Sequence, residues 1–92
     1  MIHKLDGIET NFSALKPTLI VHNLDQPGHV AQVTAMLARE QVNVATMQLF
    51  RDKRGGYAVM VIETDQPVPA WSVQWLEGVE GILKVTYINL DE

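Results

Sequence analysis

Cysteine is absent from all 92 residues. That excludes a disulfide, a thiolate nucleophile and any cysteine-ligated zinc or iron–sulfur centre on this chain. Basic residues are in deficit: seven Lys and Arg stand against eleven Asp and Glu, a formal net charge of -4. A nucleic-acid binder carries a basic face. The one basic cluster here, Arg51, Lys53 and Arg54, is interrupted by Asp52 and reads as a solvated hairpin tip. Nucleic acid is therefore not an expected partner. No apolar run approaches the roughly 20 residues of a membrane span, and the N-terminus lacks a basic-then-apolar signal pattern. No membrane partner is expected, and the cytoplasm is the expected location. No His pair has metal-like spacing, so a metal site is not expected either.

What is present is enough for one domain. Hydrophobic residues make up 47% of the chain, ordinary for a packed fold and too many for disorder. A chain this short buries a modest fraction of its surface, so association is expected to help it. Residues 1–16 are the least periodic and read as a leader or the end of a preceding module. Ile8, Thr10 and Phe12 alternate with polar residues there and allow a short strand. Lys16-Pro17 separates this leader from a body over residues 17–90.

The body reads as six elements. Residues 18–23 are aliphatic and β-branched, a strand. Val30, Val33 and Leu37 recur at helical spacing over residues 28–41. Residues 43–51 form a second strand and 57–64 a third, joined by the polar, glycine-rich turn 52–56. Pro69 opens a short helix with Trp71, Val73, Trp75, Leu76 and Val79 as its apolar residues. Residues 82–90 are the last strand. Strand-helix-strand-strand-helix-strand is the α+β, ferredoxin-like βαββαβ sandwich: a four-stranded antiparallel sheet with two helices on one face. The other face is expected to be exposed in a monomer. Both alternating sets of the strands are apolar, so that face or a sheet edge is expected to meet a partner. Met36, Met47 and Met60 read as core. Trp71 and Trp75, four apart, line one helix stripe, as core or as a partner surface.

Asp25-Gln26-Pro27-Gly28 links the first strand to the first helix. Proline presets its own φ, and glycine permits a positive one. A turn that ends in a helix start presents unpaired N–H groups, here those of Gly28 and His29, which suit an anion. Asp25 has two compatible readings: a turn residue that bonds its own backbone or caps the helix, and an acceptor for a ligand ammonium. Asn23 and Asn43 can each donate and accept. His29 reads as an exposed helix-start residue, and His22 as a strand residue that is not a ligand. Glu63, Asp65 and Glu77 sit at element ends and read as solvated. No nucleophile–base constellation stands out, so no catalytic residue is expected.

The run from Leu19 to Gly28, with its D/N-x-P-G turn, followed by a helix and by Val42-Asn43-Val44-Ala45-Thr46-Met47, resembles the ACT domain family, small-molecule-binding regulatory domains that typically respond to amino acids. Residues 43–51, Gly55-Gly56-Tyr57-Ala58-Val59-Met60 and Glu63-Thr64-Asp65 are similar to the ACT segment of the iron–sulfur L-serine dehydratase β subunit. The leader, from Asp6 to Ser13, is similar to the join before that segment. The ACT domain of phosphoglycerate dehydrogenase is the next resemblance. The dehydratases convert L-serine to pyruvate and ammonia, with a [4Fe-4S] cluster as Lewis acid. The resemblance thus implies a regulatory part of such an enzyme, with the cluster and the chemistry on a separate catalytic part. It implies a homodimer, a catalytic α subunit or domain as partner, and a small amino acid, L-serine first, held at the subunit interface. In the phosphoglycerate dehydrogenase relatives a His, an Asn in the turn and an Asn opening the second strand hold serine. These correspond to Asn23, Asp25 and Asn43, so that Asn replaces His and Asp replaces Asn. Pro27, Gly28 and His29 complete the expected ligand set. The alternatives are a ligand-independent assembly module of a metabolic enzyme and a stand-alone ACT regulator. An acylphosphatase-like enzyme of the same fold would need an arginine in the loop over residues 25–29, which has none.

Overall fold

The computed structural model describes the backbone of residues 2–5 and 8–11 and, with their side chains, residues 16–52 and 54–90. Its elements are β1 (Ile2–Leu5), β2 (Ile8–Asn11), β3 (Thr18–Leu24), α1 (His29–Arg39), β4 (Val44–Asp52), β5 (Tyr57–Thr64), α2 (Ala70–Glu77) and β6 (Ile82–Ile88). From β3 onward this is the expected order. The four body strands form one sheet, β4-β5-β3-β6, antiparallel throughout. The leader carries two strands rather than one, paired antiparallel from Ile2↔Asn11 to Leu5↔Ile8. Phe12, Lys53, Asp91 and Glu92 lie outside the described residues.

β3 and β5 occupy the middle of the sheet, with both edges paired, and both of their alternating sets are apolar and buried, one in each of two clusters. Leu19, Val21, Met60 and Ile62 point to the helices. They meet Val33, Met36 and Leu37 of α1 and Leu76 of α2 in one core cluster, which puts both helices on the same face. On α1 the buried residues are His29, Val33, Met36 and Leu37, a stripe at three- and four-residue spacing. The helix is shorter than residues 28–41. Gly28 (φ 97°) and Gln41 (φ 57°) are both left-handed, and the chain leaves the helical path at each.

The sheet face away from the helices differs from the expectation. Ile20, Val59 and Val61 there are at most 2% exposed, and Phe50 and Ile88 pack around them. The chain itself covers this second cluster, and β2 touches β4. No second copy is needed to bury it.

At the periphery the structure removes the core alternative for the tryptophans and reverses the expectation for Met47. The buried residues of α2 are Ser72 and Leu76, while Trp71 and Trp75 are 58% and 43% exposed. The Arg39 guanidinium lies 5.5 Å from the Trp75 ring centroid, within cation–π range. Met47 is exposed as well, because β4 is an edge strand and the helical layer does not reach across its outer side.

Candidate functional site

The end of the sheet where β3 runs into α1 gathers three connections. The β3–β6 ladder slips by one residue between His22 and Asn23 as the chain turns out of the sheet. Leu24 N–H then donates to the Gly81 carbonyl (2.8 Å), ahead of β6, and Asp25 N–H donates to the Gly56 carbonyl (2.7 Å), in the β4–β5 hairpin. The Asp25–Gly28 turn is thus held between two other loops by its own backbone. Gly28 caps α1 with its carbonyl, which accepts from Gln32 N–H at 2.9 Å. No side chain caps this helix start and no acid lies in its first turn, so its N–H groups remain a place for an anion.

Asp25 neither caps the helix nor bonds its own backbone. Its Oδ2 accepts from Arg51 Nε at 2.9 Å, with Arg51 at the far end of β4. A pair this exposed is worth only about 0.2–1 kcal/mol to the fold. Asp25, Arg51, Asp52 and Gly56 line a cleft of about 340 Å³ between the turn and the hairpin. Asn23 is buried: its Nδ2 donates to the Leu24 carbonyl at 2.7 Å, and its Oδ1 has no hydrogen-bond partner among the described residues. An unmade bond of that kind costs about 1–3 kcal/mol.

His29 is not the exposed helix-start residue that the sequence suggests. It is 6% exposed, with Nδ1 hydrogen-bonded to Gln32 Oε1 (2.8 Å) and Nε2 to Gln26 Oε1 (3.2 Å). The ring fills the space where a side chain on Gly81 would sit; a Cβ there would come within 2.5 Å of it. His29 therefore locks the turn against the loop before β6. His22 is also buried, on β3. Pro27 and Gly28 are exposed at the turn.

Asn43 is elsewhere. β4 pairs antiparallel with β5 from Val44↔Thr64 to Asp52↔Tyr57, and Leu24 of β3 lies opposite Tyr57. Asn43 and Asp25 thus sit at opposite ends of the sheet, separated by the nine residues of β4, roughly 30 Å at ~3.3 Å per residue. Around Asn43 a separate network forms. Its N–H donates to Gln66 Oε1 (2.7 Å), its Nδ2 to Asp65 Oδ2 (3.0 Å), and its carbonyl accepts from Asp65 N–H (2.9 Å). Lys16 Nζ donates to the other carboxylate oxygen of Asp65 at 2.9 Å. Lys16 first, then Asn43, hold the Asp65 carboxyl below the usual carboxylate range. A second cleft of about 410 Å³ lies here, lined by Asn43, Val44 and the C-terminal half of α1.

One copy therefore brings Asn23, Asp25, Pro27, Gly28 and His29 together and leaves Asn43 apart. The sequence reading missed the pairing of Arg51, taken as a hairpin-tip cation; Asp65 is exposed as expected, but its bonds to Lys16 and Asn43 were not foreseen. Only the pairing register shows that Arg51 ends its strand beside the turn.

A family model described as the ACT domain matches residues 17–70. The chain is 31% identical over 90 residues to a D-3-phosphoglycerate dehydrogenase of Methanocaldococcus jannaschii, covering 98% of this chain and 17% of that protein. It is 33% identical over 87 residues to a probable L-serine dehydratase, beta chain, of Bacillus subtilis, covering 95% of this chain and 40% of that one. The chain thus spans less than half the length of either relative. A crystal structure of a formyltetrahydrofolate deformylase from Pseudomonas putida KT2440 superposes with a TM-score of 0.66 at 18% identity, over 83% of this chain and 29% of that one, a likeness of fold.

Proposed function

Because the chain belongs to the ACT domain family, a family of regulatory rather than catalytic domains, we propose that it binds a small amino acid, L-serine first, between two copies of itself and so regulates a catalytic partner. The observation that carries this is the split of the expected ligand set. The turn with Asp25 and the uncapped helix start has acceptor and donor groups for a zwitterion, while Asn43 lies at the far end of the same sheet. Antiparallel pairing of two β4 edges brings Asn43 of one copy to the end of the joined sheet that holds Asp25 of the other. β4 suits this contact: it is an edge strand of nine residues whose outer side pairs with no strand among the described residues, with Met47 and Leu49 40% and 46% exposed.

The similarity to the serine dehydratase beta chain suggests the partner: the catalytic α subunit or domain of an L-serine dehydratase. Any [4Fe-4S] cluster of such an enzyme belongs to that part, since cysteine thiolates hold these clusters and this chain has no cysteine. Ligand binding acts on the partner only through a difference in affinity between two arrangements of the assembly.

The test is calorimetric titration with L-serine, glycine and the branched and aromatic amino acids. Saturable binding of one or more is expected, with Asp25→Ala weakening it at least about tenfold, as the loss of a charge-assisted bond predicts. No heat with any of them removes the sensor role. A second reading, assembly without a ligand, draws on the same exposed β4 edge. A dimer in sedimentation that no amino acid alters or tightens selects it.

A further inference from the structure

The Asp25–Arg51 ion pair uses only half of what its two groups offer. One bond, Nε to Oδ2, joins them. The Arg51 Nη nitrogens and Asp25 Oδ1 have no partner among the described residues. Asp25 is turned inward, its side chain 26% exposed, whereas Arg51 reaches in from solvent at 65%. Both line the cleft between the turn and the hairpin, together with Asp52 and Gly56. Asp52 Oδ1 is engaged by Arg54 N–H at 2.9 Å, which fixes its carboxylate at the rim.

An α-amino acid carries an ammonium and a carboxylate two bonds apart. The unused valences of this ion pair are an acceptor and a forked donor on adjacent groups, the complement of that arrangement. A guanidinium fork takes a carboxylate in two parallel bonds, which a lysine ammonium does not reproduce. Building on the reading of Asp25 as ammonium acceptor, we infer that Arg51 is the carboxylate receptor of this cleft. Arg51 thereby restricts the ligand to molecules with both charges, and the helix start is not the principal anion site. The ligand class is an α-amino acid with its ammonium and carboxylate both free. Because Arg51 sits on β4, the strand proposed to meet a second copy, a ligand that draws its fork inward also acts on the end of that strand.

Calorimetry tests this with L-serine, glycine and L-valine, each beside its amide, which keeps the ammonium and lacks the carboxylate. The wild-type chain is expected to prefer acid over amide by at least about tenfold, as a charge-assisted pair predicts. Arg51→Ala removes the acid-over-amide preference while amide affinity holds, and Arg51→Lys recovers it only in part. Circular dichroism checks that both variants stay folded, as expected for an exposed pair. If Arg51→Ala keeps the full preference, the helix start is the receptor and the role of Arg51 is overturned, with the amino-acid site intact. If the wild-type chain binds no acid at all, the reading of the site fails, and Arg51 with it.

Discussion

At the scale of single residues, two glycines of similar backbone geometry carry different constraints. Gly28 and Gly81 both have left-handed φ, 97° and 90°. A Cβ on Gly28 would meet nothing within 4 Å, whereas one on Gly81 would run into the His29 ring, which two glutamines and burial hold in place. Gly81→Ala therefore has a backbone cost of about 1–3 kcal/mol and a steric cost in addition. A fall in melting temperature of at least about 4 °C is expected for a domain of this size, and Gly28→Ala falls less. Equal losses for the two would show that the His29 ring yields without cost. The turn itself was legible in the sequence, since Pro27 and Gly28 report local backbone needs. The burial of His29 was not. Its partners are one helical turn ahead, three residues behind and at Gly81, and only the last of these closes the cage.

At the scale of elements, β4 stands out. Strand periodicity located it as a run apolar on both alternating sets, and the sheet order makes it an edge. Six of its nine residues are exposed, and the other three, Val44, Phe50 and Asp52, are only partly covered. An edge of that length with Met47 and Leu49 exposed is a template for another strand. Replacing both by glutamate sets like charges against each other across a two-fold contact. Sedimentation velocity should then show a dimer for the wild-type chain and a monomer for Met47→Glu/Leu49→Glu. A wild-type monomer at all concentrations sampled would remove β4 as the contact. The exposed tryptophans of α2 follow the same logic in reverse. Their spacing announced a stripe, but only the packing of Ser72 and Leu76 into the core decided that the stripe faces outward.

At the scale of the whole molecule, Asp65 ties the start of the body to the start of β4 through Lys16 and Asn43. Its carboxyl is held below the ordinary range, Lys16 being the larger cause. A depressed folded-state value contributes stability above the unfolded carboxyl value, about 3.9. That stability is lost as pH falls through the folded value. Denaturant midpoints should therefore decline on acidification below about pH 4. Asp65→Asn should remove part of that slope and leave the midpoint less dependent on salt, because the pair is at the surface. An unchanged acid slope in the variant would mean that other carboxylates carry it.

The sequence by itself determined the order of elements, the ferredoxin-like class and the Asp25–Gly28 turn. Hydrophobic period and the backbone demands of proline and glycine are local properties, written in neighbouring residues. Tertiary structure decided everything that depends on register and on which strands lie at the edges. It covered the second sheet face from within the chain and buried His29. It set Arg51 against Asp25 and put Asn43 at the opposite end of the sheet. Those outcomes rest on pairings between residues far apart in the chain, where a shift of one position changes every partner.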